Sequence, residues 1–138
     1  MVHSRILASL AVILAAGVAQ AQESAVIIGK STFNARCALC HGAEGKGDGE
    51  IAELFEVRPS DLTELAERNG GQYPFAEVYD IIVKGMEQRG HGDSTMPIWG
   101  DYFIADALED RGVSRGDATE IAAGRVLSVV YYLESIQQ

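Results

Sequence analysis

Cys37-Ala38-Leu39-Cys40-His41 contains both cysteines of a 138-residue chain and one of its three histidines. Two thiols three residues apart, with an imidazole directly after them, suit few chemistries. A Cys-x-x-Cys-His run is the attachment signal for a c-type haem. Each thiol can add to one vinyl group on the same porphyrin edge, and the adjacent histidine can turn its ring onto the iron. Covalent tethering keeps such a group in a small, open domain that could lose a non-covalent one. Three other chemistries compete for the motif. An oxidising compartment would permit a structural disulfide. A redox dithiol of thioredoxin type wants a preceding strand and a βαβ surround, neither of which the sequence displays. Zinc wants about four ligands, and no second cysteine pair exists.

The compartment is readable from residues 1–21. Arg5 lies in a short basic region, Ile6 to Ala19 is apolar and uncharged, and Ala19-Gln20-Ala21 is a small-x-small cleavage pattern. Together these describe a secretory signal peptide cut before Gln22. The rival reading is a membrane anchor. Fourteen helical residues span about 21 Å, short of the ~30 Å hydrocarbon core. The expectation is therefore export, to a bacterial periplasm, with residues 22–138 as one haem domain and no membrane insertion of the mature chain. Haem attachment in bacteria also takes place outside the cytoplasm, which favours haem over the other readings.

Composition supports one domain and excludes several roles. The chain is 47% hydrophobic and carries 20 acidic against 11 basic side chains, a formal charge of −9. Removing residues 1–21 deletes one cation and no acid, which takes the charge to −10 over 117 residues. That balance excludes the basic footprint of a nucleic-acid binder and docking on anionic lipid. It calls instead for a redox partner with a basic docking face. Four Phe, five Tyr and one Trp make a thin aromatic supply, so a bound group with its own apolar bulk would help so short a chain.

Periodicity is helical nearly throughout, and the expected fold class is all-α. Between Ser24 and Arg36, Ile28, Phe33 and Ala35 recur at roughly helical spacing. Gly29, Phe33 and Cys37 share one face at four-residue intervals. Gly42 to Gly49 has four glycines in eight residues and is a loop of tight turns. It lacks the Gly-Lys-Ser/Thr ending and the preceding strand of a phosphate cradle. Asp61 with Glu64 reads as a capping box for a helix with Leu62, Leu65 and Ala66 inward, stopped at Asn69-Gly70-Gly71. Pro74 suits the first turn of the next, whose face is Phe75, Val78, Tyr79 and Ile82 and which Gly85 ends. A short helix is expected over 100–110. Ser114 with Asp117 opens a long last helix with the stripe Ile121, Ala122, Val126, Val129, Leu133 and Ile136.

An iron with one axial histidine, His41, takes a sixth ligand or keeps an open position. Met96 precedes Pro97 in a glycine-bordered loop, off any apolar stripe, and its thioether is a soft, neutral ligand that favours ferrous iron. A lone methionine is more often core filler, but the loop setting favours the ligand. His91 is the rival, and bis-His ligation would lower the potential; Met86 is a distant third.

In this ordered set the chain resembles a class I c-type cytochrome: a monohaem, His/Met-ligated, bacterial periplasmic protein with a small helical fold wrapped around the haem. The carriers of the resemblance are Gly29, Phe33 and Cys37, the Cys-Ala-Leu-Cys-His-Gly run with Asp48-Gly49, Met96-Pro97 and Tyr132-Leu133. It implies first and last helices crossing near a right angle, with Gly29 admitting the aromatic. It implies one haem c per chain, tethered by Cys37 and Cys40, with His41 and Met96 as axial ligands. Pro59 falls where the family's proline carbonyl accepts from the proximal His Nδ1–H; alternatively it is a helix-start proline. Trp99 and Tyr73 are candidate hydrogen-bond donors to haem propionates, and Arg58 and Arg89 candidate ion-pair partners, with surface salt bridging the plainer fate of both arginines. Residues 97–113 exceed the minimal family pattern. With Asp101, Asp106, Glu109 and Asp110, they either line the haem mouth and tune partner choice or form a packing element.

The implied function is single-electron transport between redox partners, as a monomer or as a subunit of an oxidoreductase complex, and not catalysis by this chain alone. Two alternatives stand beside it. One is a haem-based small-ligand sensor with a labile Met96. The other is a haem-free Cys-x-x-Cys thiol oxidoreductase.

Overall fold

The computed structural model describes residues 22–85 and 98–138, with the backbone alone at 110 and 111. Its regular structure is helical, with no strand among the described residues. Helix α1 covers residues 22–36. It is followed by α2 (Ala38–His41), α3 (Leu65–Arg68), α4 (Phe75–Lys84), α5 (Trp99–Arg111) and α6 (Arg115–Ser135), with 3-10 turns at Ala52–Leu54 and Leu62–Glu64. The all-α expectation holds. The leader at 1–21, and Met86, Arg89, His91, Met96 and Pro97, lie outside the described residues. No described helix is long and apolar enough to cross a membrane.

Local chemistry explains the boundaries. Asp61 accepts from Thr63 N at 2.8 Å and from the Thr63 hydroxyl at 2.7 Å. It thus caps the segment as expected, but the first turn is 3-10 and only then passes into α3. Glu64, assigned to a capping box, pairs with Arg68 one turn further on at 3.5 Å. The Ser114 hydroxyl accepts from Asp117 N and opens α6. Gly85, at φ 75°, ends α4 in a conformation that disfavours side chains.

The face of α1 is narrower than its spacing indicated. Gly29 and Phe33 are buried, and Cys37 is half-buried against the same core. Ile28, read as part of the apolar spacing, is 53% exposed, and Ala35 is also exposed. Neighbours in sequence are turned about 100° from one another on a helix, so one four-residue row meets the core and the next row does not. Gly29 lies against the carbonyl of Ser128, and a Cβ there would stand 2.9 Å from Tyr132 Cβ. One turn on, the Phe33 and Tyr132 rings meet at 5.3 Å, inclined by 52°. This is the contact between first and last helices that the Gly29 and Tyr132 positions implied.

The core is completed by Val78 and Ile82 of α4, Phe103 of α5, and Ala122, Val126, Val129, Val130 and Leu133 of α6. Helix α5 bears on the 97–113 insertion. Phe103 and Ala107 are buried, and the α5 helix lies against both α4 and α6. Asp106 takes Arg36 of α1 at 2.6 Å and Arg125 of α6 at 3.7 Å, so one half-buried carboxylate joins three helices. Asp101 and Glu109 remain on the surface. The described part of the insertion packs into the core, with Asp106 in an internal tie and Asp101 and Glu109 on the exterior.

Candidate functional site

The motif is built as a continuation of α1. Cys37 N donates to Phe33 O at 2.7 Å, His41 N to Cys37 O at 2.9 Å, and Gly42 N to Ala38 O at 2.8 Å. The backbone ladder therefore crosses from α1 into α2 almost unbroken, and the buried Phe33 anchors the motif to α6. Three residues apart on a helical backbone, Cys37 and Cys40 share a side of α2. Both are half-buried and neither is in a disulfide.

Burial sets the thiols' behaviour. It pushes Cys37 up to about 12, with the neighbouring Cys40 adding to the rise. Cys40 is raised as well, again by burial. A redox-active Cys-x-x-Cys pair works through a lowered thiol pKa at its attacking sulfur. Here both shifts run the other way, which weakens the thiol oxidoreductase reading.

His41 is oriented by backbone. Its Nδ1 lies 3.2 Å from the carbonyl of Ser60. A carbonyl only accepts, so this contact places the ring proton on Nδ1 and the lone pair on Nε2, the tautomer that a metal ligand needs. The expected acceptor was the carbonyl of Pro59, one residue earlier. That carbonyl instead backs onto Gly47, where a Cβ would run into it. Successive carbonyls of an extended segment point in different directions, so only one of the two can face the ring. Pro59 thus supports the approach of the glycine loop, and Ser60 holds the histidine.

The glycine loop closes the other side. Gly47 N donates to His41 O at 2.8 Å and Gly49 N to Cys40 O at 3.2 Å. A Cβ on Gly49 would collide with the Leu39 and Cys40 backbone. Side-chain-free backbone therefore lies directly on the motif. Leu62 N donates to Gly45 O at 2.7 Å and ties the Ser60 segment to the same loop.

Three other candidate residues are placed as follows. The Tyr73 hydroxyl, a candidate propionate donor, donates to Val130 O at 3.1 Å. Burial raises its pKa, so it stays protonated. Arg58 pairs with Glu53 at 3.5 Å on the surface, the plainer of its two fates. Trp99 packs on Phe103 and Tyr102, with ring centroids 5.8 and 5.5 Å away. The Ser60 acceptor was missed by sequence reasoning. Only its position next to Pro59 signalled it.

The residues present fit a covalently tethered haem. Sulfur and imidazole donors stand together on one short helix, the imidazole already in its ligating tautomer. Cys37 and Ala38 of the motif are themselves packed against the apolar core, which suits an apolar macrocycle. Among the described residues no group of three or more His, Cys, Asp or Glu is arranged for a metal ion.

A family model described as cytochrome c matches residues 26–109, more than half of the chain. No curated protein and no solved structure gives a match. The matched span runs from α1 through most of α5; α6 lies beyond it.

Proposed function

The chain belongs to the cytochrome c family of haem electron carriers, and on that premise we propose an exported monohaem protein that passes single electrons between redox partners. Cys37 and Cys40 would hold the haem through thioethers, and His41 and Met96 would ligate its iron. A bound haem would supply the one-electron couple, iron alternating between ferric and ferrous. The chain's own residues do the rest. The Ser60 carbonyl fixes the His41 ring and makes it more electron-rich. Phe33 and Gly29 seat the motif-bearing helix on α6. The observation that carries the reading is the His41 Nδ1 contact with Ser60, set one residue after two undisulfided cysteines.

Spectroelectrochemical titration of the purified protein tests the ligand set. Met96→Ala is expected to lower the midpoint potential by on the order of 0.1 V, because the thioether favours the ferrous state. An unchanged potential in Met96→Ala together with a shifted one in His91→Ala would move the sixth ligand to His91.

The partner is proposed from charge. Exposed Glu50, Glu53 and Glu56 surround Leu54 and Val57, which are 81% and 65% exposed. Ile51 N bonds Leu39 O and Gly49 N bonds Cys40 O, so this acidic and apolar stretch adjoins the motif. It fits a redox protein with basic side chains around an apolar recess. Stopped-flow electron exchange with such a protein should slow about tenfold or more as salt rises to physiological strength and beyond. An on-rate indifferent to ionic strength removes the docking proposal.

A further inference from the structure

The end of α6 is fastened to the segment that holds His41, and one side chain makes the fastening. Gln137 Nε2 donates to Leu133 O at 2.6 Å and to Leu62 O at 2.8 Å, while its Oε1 accepts from Ala66 N at 2.8 Å. Next to it, Gln138 N donates to Thr63 O at 3.0 Å. An amide side chain offers two N–H donors and one carbonyl oxygen, and here both kinds of group are used.

The partners are informative. Leu62 and Ala66 stand four residues apart, so their carbonyl and amide are groups that a continuous α-helix would pair. They flank the passage from the 3-10 turn Leu62–Glu64 into α3. The Gln137 amide spans that passage and holds both sides of it. Leu133 O is a carbonyl of the last turn of α6, where Ile136 N reaches it only at 3.4 Å and the Gln137 amide at 2.6 Å. One residue therefore satisfies the end of one helix and braces the irregular start of another.

The braced segment begins at Ser60, whose carbonyl lies 3.2 Å from His41 Nδ1. Two residues on, Leu62 N is held by Gly45 O at 2.7 Å. The acceptor for His41 is thus fixed between the glycine loop on one side and Gln137 on the other. We propose that Gln137 is a positioning residue for the haem iron: it sets the Ser60 carbonyl against His41 and so tunes the electron donation of the proximal imidazole. The tuning rests on the haem-carrier reading above; the clamp itself does not.

The direction follows from ligand chemistry. A firm Nδ1–H to carbonyl bond makes the imidazole a stronger donor, which favours ferric iron. Loosening the clamp weakens that bond and favours ferrous iron. Gln137→Ala should therefore raise the ferrous-to-ferric ratio at a fixed solution potential by on the order of threefold.

A control separates tuning from general weakening. Ser114→Ala removes the cap at the opposite end of the same helix and destabilises α6 without touching the Ser60 segment. NMR of whichever form is purified, with or without haem, reads Ala66 amide exchange and the His41 Nδ1–H resonance. Redox titration then reads the ratio. The expected result is faster Ala66 exchange and a displaced His41 resonance in Gln137→Ala, neither in Ser114→Ala, with the ratio raised only in the former. Unchanged NMR readouts in Gln137→Ala, or equal changes in both variants, overturn the clamp. Changed NMR readouts with an unmoved ratio in a haem-loaded protein overturn the tuning. A wild-type protein that carries no haem overturns the functional premise and the tuning with it, while the NMR comparison still decides the clamp.

Discussion

A chain carrying Cys37→Ser and Cys40→Ser together is expected to lose covalent haem completely, read as loss of the haem stain on a denaturing gel. On the proposed attachment each sulfur would form its own bond to the macrocycle, so either single variant should keep one bond and still stain, more weakly. Serine matches cysteine closely in size, and the cysteine backbone bonds to Phe33 O and within α2 need no sulfur. Helix content by circular dichroism should therefore change far less than the stain. Cys37, Cys40 and His41 are themselves only half-buried, so non-covalent haem in the double variant should wash out. A double variant that stained like wild type would refute the thioether assignment. A wild-type chain that never stained would return the motif to thiol chemistry, against the raised pKa of both thiols.

What could be read in the sequence was whatever depends on neighbours. The haem motif, the caps at Asp61 and Ser114, the stop at Gly85 and the row Gly29, Phe33, Cys37 are all set within about four residues of chain. They appear in the structure where spacing put them. Ile28 shows the limit: an apolar residue one step off the inward row has no way to signal that it faces water.

What could not be read depends on where distant segments meet. The carbonyl that takes His41 comes from 19 residues away. Choosing Ser60 over Pro59 needs the path of the intervening loop, not the presence of a proline. The Gln137 bonds to Leu62 and Ala66 bridge separations of 75 and 71 residues. Nothing in a glutamine near the end of a helix announces them. Helix α5 was hard for a different reason. Its buried residues Phe103 and Ala107 stand in a run that also contains Asp101, Asp106 and Glu109, so no clean stripe separates core from surface. Asp106, one of the four acids of the insertion, joins three helices, since two arginines from elsewhere converge on it.

The same substitution at two helical glycines is expected to act with opposite signs. Gly29→Ala should destabilise the protein by about 2–3 kcal/mol, because its Cβ would enter the Ser128 carbonyl group and approach Tyr132 Cβ to 2.9 Å. The obstacle is backbone, which cannot swing aside as a flexible side chain can. Relief requires α1 and α6 to separate, and that loosens the Phe33–Tyr132 contact and the approach of Cys37 to the core. Gly124→Ala, in the middle of α6, meets nothing within 4 Å. There only the gain in helix propensity remains, about 0.5–1 kcal/mol of stabilisation. That same gain operates at Gly29 and is already outweighed in the estimate. At roughly 4 °C per kcal/mol for a domain of this size, the two variants should melt more than about 8 °C apart, with wild type between them. Thermal denaturation followed at a helix signal reads both. If Gly29→Ala melts at or above wild type, α1 does not cross α6 at that glycine, and the seat of the haem motif lies elsewhere.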